Sequence, residues 1–121
     1  MSVGEGLQAF ITSGFRSIWS LELLLLLKRE PRKWGRAELV SALRASELVV
    51  GQALDSLVIA GLVAVEGEEA WYAPSSPASA RLVEETEQLY ARRPDAVRRL
   101  IVLSPGTGLA AFADAFRLKR E

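Results

Sequence analysis

The chain has 121 residues, half of them hydrophobic, and its 15 basic residues are balanced by 15 acidic ones. That length and composition suit one folded domain with an added docking element, and disorder is not the default reading. Cysteine and histidine are both absent, which removes disulfides, thiolate nucleophiles, cysteine-ligated zinc and the commonest general base and metal ligand. No enzyme, cofactor or metal site is therefore expected.

The most apolar run, 23–27, lies between Glu22 and Lys28, far short of the roughly 20 residues needed to cross a bilayer. With no signal-peptide pattern at the start, a cytoplasmic protein without a membrane partner is expected.

Residues 1–16 read as a short arm. Leu7, Phe10 and Ile11 are spaced to form one apolar helical face, ended by Ser13-Gly14. Residues 17–30 read as a buried helix capped by Ser17 and stopped by Pro31. Its leucines at 21 and 23–27 leave almost no polar face, so either the domain wraps it or a second subunit covers it. Arg32-Lys33-Trp34-Gly35 reads as a loop.

A second helix spans 36–44, with Gly35 as cap and Ala37, Val40 and Leu43 inward, Leu39 beside them. Ser46 caps a third helix running to Ala60, and Gly61 supplies its left-handed exit. Residues 62–66 and 70–73 form a hairpin around Gly67-Glu68. Ser76 and Pro77 start a further helix carrying Leu82, Leu89 and Tyr90, with Val83 to the side. Pro94 interrupts it, and Val97, Leu100, Ile101 and Leu103 continue beyond. After a loop at 104–108, Leu109, Phe112, Ala113 and Phe116 define an amphipathic helix over 109–119 with cations at its end.

The order helix, loop, helix, tight turn, helix, glycine, hairpin is carried by the stretch from Glu38 through Ser46 to Val63. Its ending Leu57-Val58-Ile59-Ala60-Gly61-Leu62-Val63 resembles the recognition-helix region of MarR-like regulators and related winged helix-turn-helix families. The resemblance implies a mainly α fold with a small β-hairpin: an arm at 1–16, a winged-helix domain at 17–74, and a helical extension at 75–121 that packs back or dimerises. It further implies a DNA-binding transcriptional regulator, with a homodimer as the expected assembly.

On that reading Val50, Leu54 and Leu57 face the core, leaving Glu47, Val49, Gln52, Ala53 and Ser56 outward. Gln52 could read an adenine, and Ser46 or Ser56 could touch phosphate. Arg36 and Arg44 flank the helix that crosses the DNA backbone. With Arg32 and Lys33 they belong to a segment, 28–44, that carries six cations against two carboxylates. Residues 45–75 carry five carboxylates and no cation, which opposes phosphate binding. The alternative is a protein-interaction adaptor using the same face, with Val49, Ala53, Val58 and Ile59 as its apolar contacts.

Other motifs weigh little. Gly106-Thr107-Gly108 follows no strand and precedes no Lys-Ser or Lys-Thr, so it reads as a loop and cap. Glu84, Glu85 and Glu87 read as a solvated face that Arg92, Arg93, Arg98 and Arg99 can pair with across a dimer. Trp19, Trp34 and Trp71 could line a small-molecule pocket but read better as packing residues; Trp34 is placed either to stack on a base or a neighbouring arginine or to cover the end of the first long helix.

Overall fold

The leucine run decides the architecture, because a helix apolar on nearly every side must be surrounded. In the computed structural model, which describes residues 4–102, the chain is mostly helical with a small three-stranded antiparallel sheet. The elements are α1 (Glu5–Gly14), α2 (Ile18–Arg29), β1 (Trp34–Gly35), α3 (Arg36–Leu43), α4 (Glu47–Ile59), β2 (Val63–Glu66), β3 (Glu69–Tyr72), α5 (Pro77–Arg92) and α6 (Pro94–Val102). The expectations for Leu103, the 104–108 loop and the 109–119 helix lie outside the described residues.

Ser17 starts α2 with a reciprocal cap. Its hydroxyl accepts from the Ser20 N–H, and the Ser20 hydroxyl accepts from the Ser17 N–H, so two otherwise unpaired donors are satisfied. Leu21, Leu23, Leu24, Leu25 and Leu27 are then all buried, enclosed by α3, α4, α6 and β3. The domain itself wraps this helix, and the leucines need no second subunit to cover them.

The N-terminal segment is part of the same core. Ile11 and Phe15 are fully buried, and the Phe15 ring meets Phe10 edge-to-face with centroids 5.7 Å apart. Helix α1 bends away from α2 by 105° and packs against α5 and α6. No single described helix is long and apolar enough to cross a membrane.

Four local expectations need correction. Trp34–Gly35 is a strand, not loop: it pairs antiparallel with β3, Trp34 opposite Ala70 and Gly35 opposite Glu69, giving the order β1-β3-β2. Trp34 is buried and its indole N–H donates to the Glu30 carbonyl at 3.0 Å, so the ring closes the end of α2. On α3 the buried residue is Leu39, while Ala37 is exposed and Val40 and Leu43 are half-buried; so short a helix meets the core along a single line.

On α4, Ala53 is buried with Val50, Leu54 and Leu57, because these four positions form one 3.6-residue stripe. On α5 the inward residues are Val83, Thr86 and Leu89, and Leu82 is only half-buried. The Thr86 hydroxyl is satisfied by donating to the Leu82 carbonyl at 2.7 Å.

The ends of α4 and α5 follow their sequence signals. Ser46 accepts from the Val49 N–H and Ser76 from the Ser79 N–H. Gly61 leaves α4 at φ 77°, where a Cβ would stand 2.8 Å from the Ser75 hydroxyl oxygen. A side chain there would be strained by the left-handed backbone and would require Ser75 to shift.

Candidate functional site

The face of α4 that turns from the core is set by its buried stripe. With Val50, Ala53, Leu54 and Leu57 inward, the exposed positions are Glu47, Leu48, Gln52, Asp55, Val58 and Ile59. Ile59 is 80% exposed and Leu48 69%, unusual for large aliphatic side chains at helix positions flanking a core. Beside them the start of α2 presents Trp19, 41% exposed. Between the two helices lies a groove of about 510 Å³, lined by Trp19, Val49, Gln52, Ser56 and Ile59, with Arg16 and Asp55 also at its edge.

Three of the expected site residues, Val49, Gln52 and Ser56, meet in this groove. Gln52 is exposed, while Ser56 is half-buried and turns its hydroxyl onto the Ala53 carbonyl at 2.9 Å. Ser46 is engaged as the helix cap. Arg44 is exposed, ends α3 in the left-handed conformation at φ 54°, and makes no ion pair among the described residues. Arg36 lies against α4, its Nη1 3.1 Å from where a Cβ on Gly51 would stand. Its Nε is buried without a hydrogen-bond partner.

The basic segment 28–44 does not form a continuous surface. Lys28 contacts Glu84 at 2.8 Å and Glu87 at 2.7 Å, and Arg29 contacts Glu87 at 3.2 Å. Hydrogen bonds donated to Glu84 and then Glu87 hold the Lys28 ammonium above its ordinary pKa, against the effect of burial. Lys28, and less strongly Arg29, hold the Glu87 carboxyl below its ordinary value. Arg32 pairs with Glu38 at 3.1 Å and stacks on Trp34, 3.7 Å from the ring centroid; Lys33 sits over Trp71 at 5.0 Å.

Glu84 and Glu87 of α5 are thus matched by Lys28 and Arg29 of their own chain. Glu85 is exposed and makes no ion pair among the described residues, while Arg98 contacts Asp95, one turn away, at 3.7 Å. The groove itself carries one cation, Arg16, and one carboxylate, Asp55; Glu47 on α4 and Glu66, Glu68 and Glu69 around the β2–β3 turn are exposed as well. Among the described residues no group of acidic side chains is arranged to hold a metal ion.

Arg16 and Trp19 were not among the expected site residues. The chain brings them to α4 only through the packing of α2 on α4. One signal for Trp19 is visible in the sequence: it is a large aromatic on a helix whose core positions are already filled by leucine.

No protein-family model matches this chain, and no curated protein or solved structure matches it either.

Proposed function

We propose that the chain is a winged-helix domain that uses the outward face of α4 to dock a protein segment. The segment would present apolar side chains flanked by lysine or arginine. Three features support the winged-helix reading: the succession α2-β1-α3-α4-β2-β3, the β1-β3-β2 sheet, and the Leu57-to-Val63 ending with its left-handed Gly61. In this reading α4 is the recognition helix and the β2–β3 hairpin the wing.

One observation carries the choice of partner. The outward side of α4 exposes Leu48, Val58 and Ile59, Trp19 of α2 lines the same groove as Ile59, and α4 carries Glu47 and Asp55 but no basic residue. An apolar centre with a charged rim is how protein interfaces are built, and a cluster of exposed large side chains marks them. A duplex demands the opposite charge, since neutralising phosphates supplies the bulk of non-specific affinity.

DNA binding is the second reading, and one observation favours it. The buried Nε of Arg36 has no partner, and Arg36 and Arg44 both border α4. The two guanidinium groups would then hold phosphates while Gln52 contacts a base edge.

A titration distinguishes the readings. A tryptophan-free amphipathic peptide with leucine or phenylalanine at i, i+3 and i+7, followed by lysines, should shift the protein's tryptophan emission to the blue. Trp19→Phe should remove most of that shift and Ile59→Glu should abolish binding. A peptide that leaves the emission unchanged at millimolar concentration contradicts the docking reading.

A further inference from the structure

A second cavity lies where α5 gives way to α6. It encloses about 360 Å³ and is lined by Arg92, Arg93, Pro94, Asp95, Ala96 and Arg99. None of these residues belongs to α4 or to the groove beside it. Proline shapes the cavity. Pro94 has no N–H with which to continue α5, and it disfavours helical backbone in the residue before it. Arg93 accordingly leaves the helix at φ −138°, and α6 starts afresh at Pro94. The break brings Arg99, from the second turn of α6, to the same cavity as Arg92 and Arg93 at the end of α5.

These three guanidinium groups make no ion pair among the described residues. Glu84 and Glu87 of α5 are engaged by Lys28 and Arg29. Asp95, the carboxylate in the lining, contacts Arg98 at 3.7 Å. Arg98 itself stays outside the cavity, over the Tyr90 ring at 5.8 Å. The backbone adds little: the Ala96 and Val97 N–H groups both donate to the Arg93 carbonyl, at 3.1 and 3.3 Å. Residues 92–99 thus carry four arginines against one carboxylate, in a chain of zero net charge. The cavity offers concentrated positive charge, with no aromatic or large aliphatic wall to hold an organic ring.

We propose that this cavity binds a phosphate group carrying two negative charges, as free phosphate or as a phosphomonoester on a larger molecule. Arginine stays charged at any accessible pH, and its planar fork donates paired hydrogen bonds to phosphate oxygens. Three cations around one cavity repel one another, and a dianion among them replaces repulsion with attraction. A phosphomonoester brings close to two charges on a single group at neutral pH. A duplex brings one charge per phosphate, spread along its backbone, and calls for a broad basic surface instead of a single concavity. This role is independent of docking at α4.

The test follows the backbone amide signals of the isotope-labelled full chain by NMR as inorganic phosphate is added, with sodium chloride at matched ionic strength as the reference. A phosphoserine peptide and its unphosphorylated form make the second arm. The variant is Arg93→Gln/Arg99→Gln. Arg44→Gln/Arg81→Gln removes the same charge from positions outside the cavity. All four arginines are exposed, so both variants should fold as the natural chain does.

The expected result is a saturable shift of the amides between Arg92 and Arg99 that sodium chloride does not reproduce. Arg93→Gln/Arg99→Gln should weaken binding about tenfold or more, and the control variant should change it by less than about twofold. Tighter binding of the phosphopeptide than of phosphate assigns the cavity to phosphorylated chains; equal or weaker binding assigns it to free phosphate. Absence of a saturable shift with either probe, or equal effects of the two variants, overturns the proposal. So does an unphosphorylated peptide or a duplex DNA that shifts the same amides as strongly.

Discussion

The Arg36 guanidinium lies across α4 at Gly51, so close that a Cβ there would stand 3.1 Å from Nη1. Glycine inside a helix normally costs about 1 kcal/mol relative to alanine, so this position gives up helix stability to accommodate the arginine. Gly51→Ala is expected to raise stability by about 0.5 kcal/mol in the natural chain, because the far end of Arg36 has to shift. In an Arg36→Ala background the gain should approach the full 1 kcal/mol or so. A double-mutant cycle by urea unfolding measures the difference; equal gains in both backgrounds would contradict the contact.

Phe15 tests whether the N-terminal segment belongs to the core. It is fully buried against Phe10, and truncating such a ring costs about 3–5 kcal/mol. Phe15→Ala should lower the unfolding midpoint accordingly. A frayed arm would show almost no change.

Lys28 and Glu87 tie α2 to α5 in a setting only one-fifth exposed on either side. The Glu87 carboxyl is depressed below 4.5, so its contribution is present above that value and is lost as pH falls through the lower, folded value. The Lys28 ammonium is raised above 10.5, so its contribution is complete below that value and is lost as pH rises through the higher, folded one. Glu87→Gln should therefore cost about 1 kcal/mol at neutral pH and less as pH drops below about 4. Unfolding midpoints across pH 2–7 check this; a penalty that stays constant would rule out the charge pairing.

Ile59 separates stability from docking. At 80% exposure it has little to lose on substitution, and Ile59→Glu should leave stability within about 0.5 kcal/mol of the natural chain. The same substitution is expected to remove peptide binding. A large loss of stability would mean that the side chain is covered in the free protein.

The legibility of the sequence differs from element to element. The ends of α4 were readable because Ser46 and Gly61 act locally, through one cap hydrogen bond and one left-handed residue. The strand at Trp34–Gly35 was not, since two residues carry no periodicity and their partners, Ala70 and Glu69, are distant in the chain. The basic segment was misleading for the same reason. Its charges are visible as a run, but the carboxylates that engage Lys28 and Arg29 arrive from α5. The groove was half legible: Val49, Gln52 and Ser56 follow from helical phase, whereas Trp19 and Arg16 depend on how α2 packs on α4.

The central claim is that the α4 face selects protein over nucleic acid, and binding to random-sequence duplex DNA at low salt tests it most directly. The measurement is made on the natural chain and on Arg36→Ala/Arg44→Ala, at low and at higher salt. The account predicts no retention of duplex by either protein. Retention by the natural chain that weakens with salt and disappears with the two arginines would contradict it and assign α4 to the DNA groove.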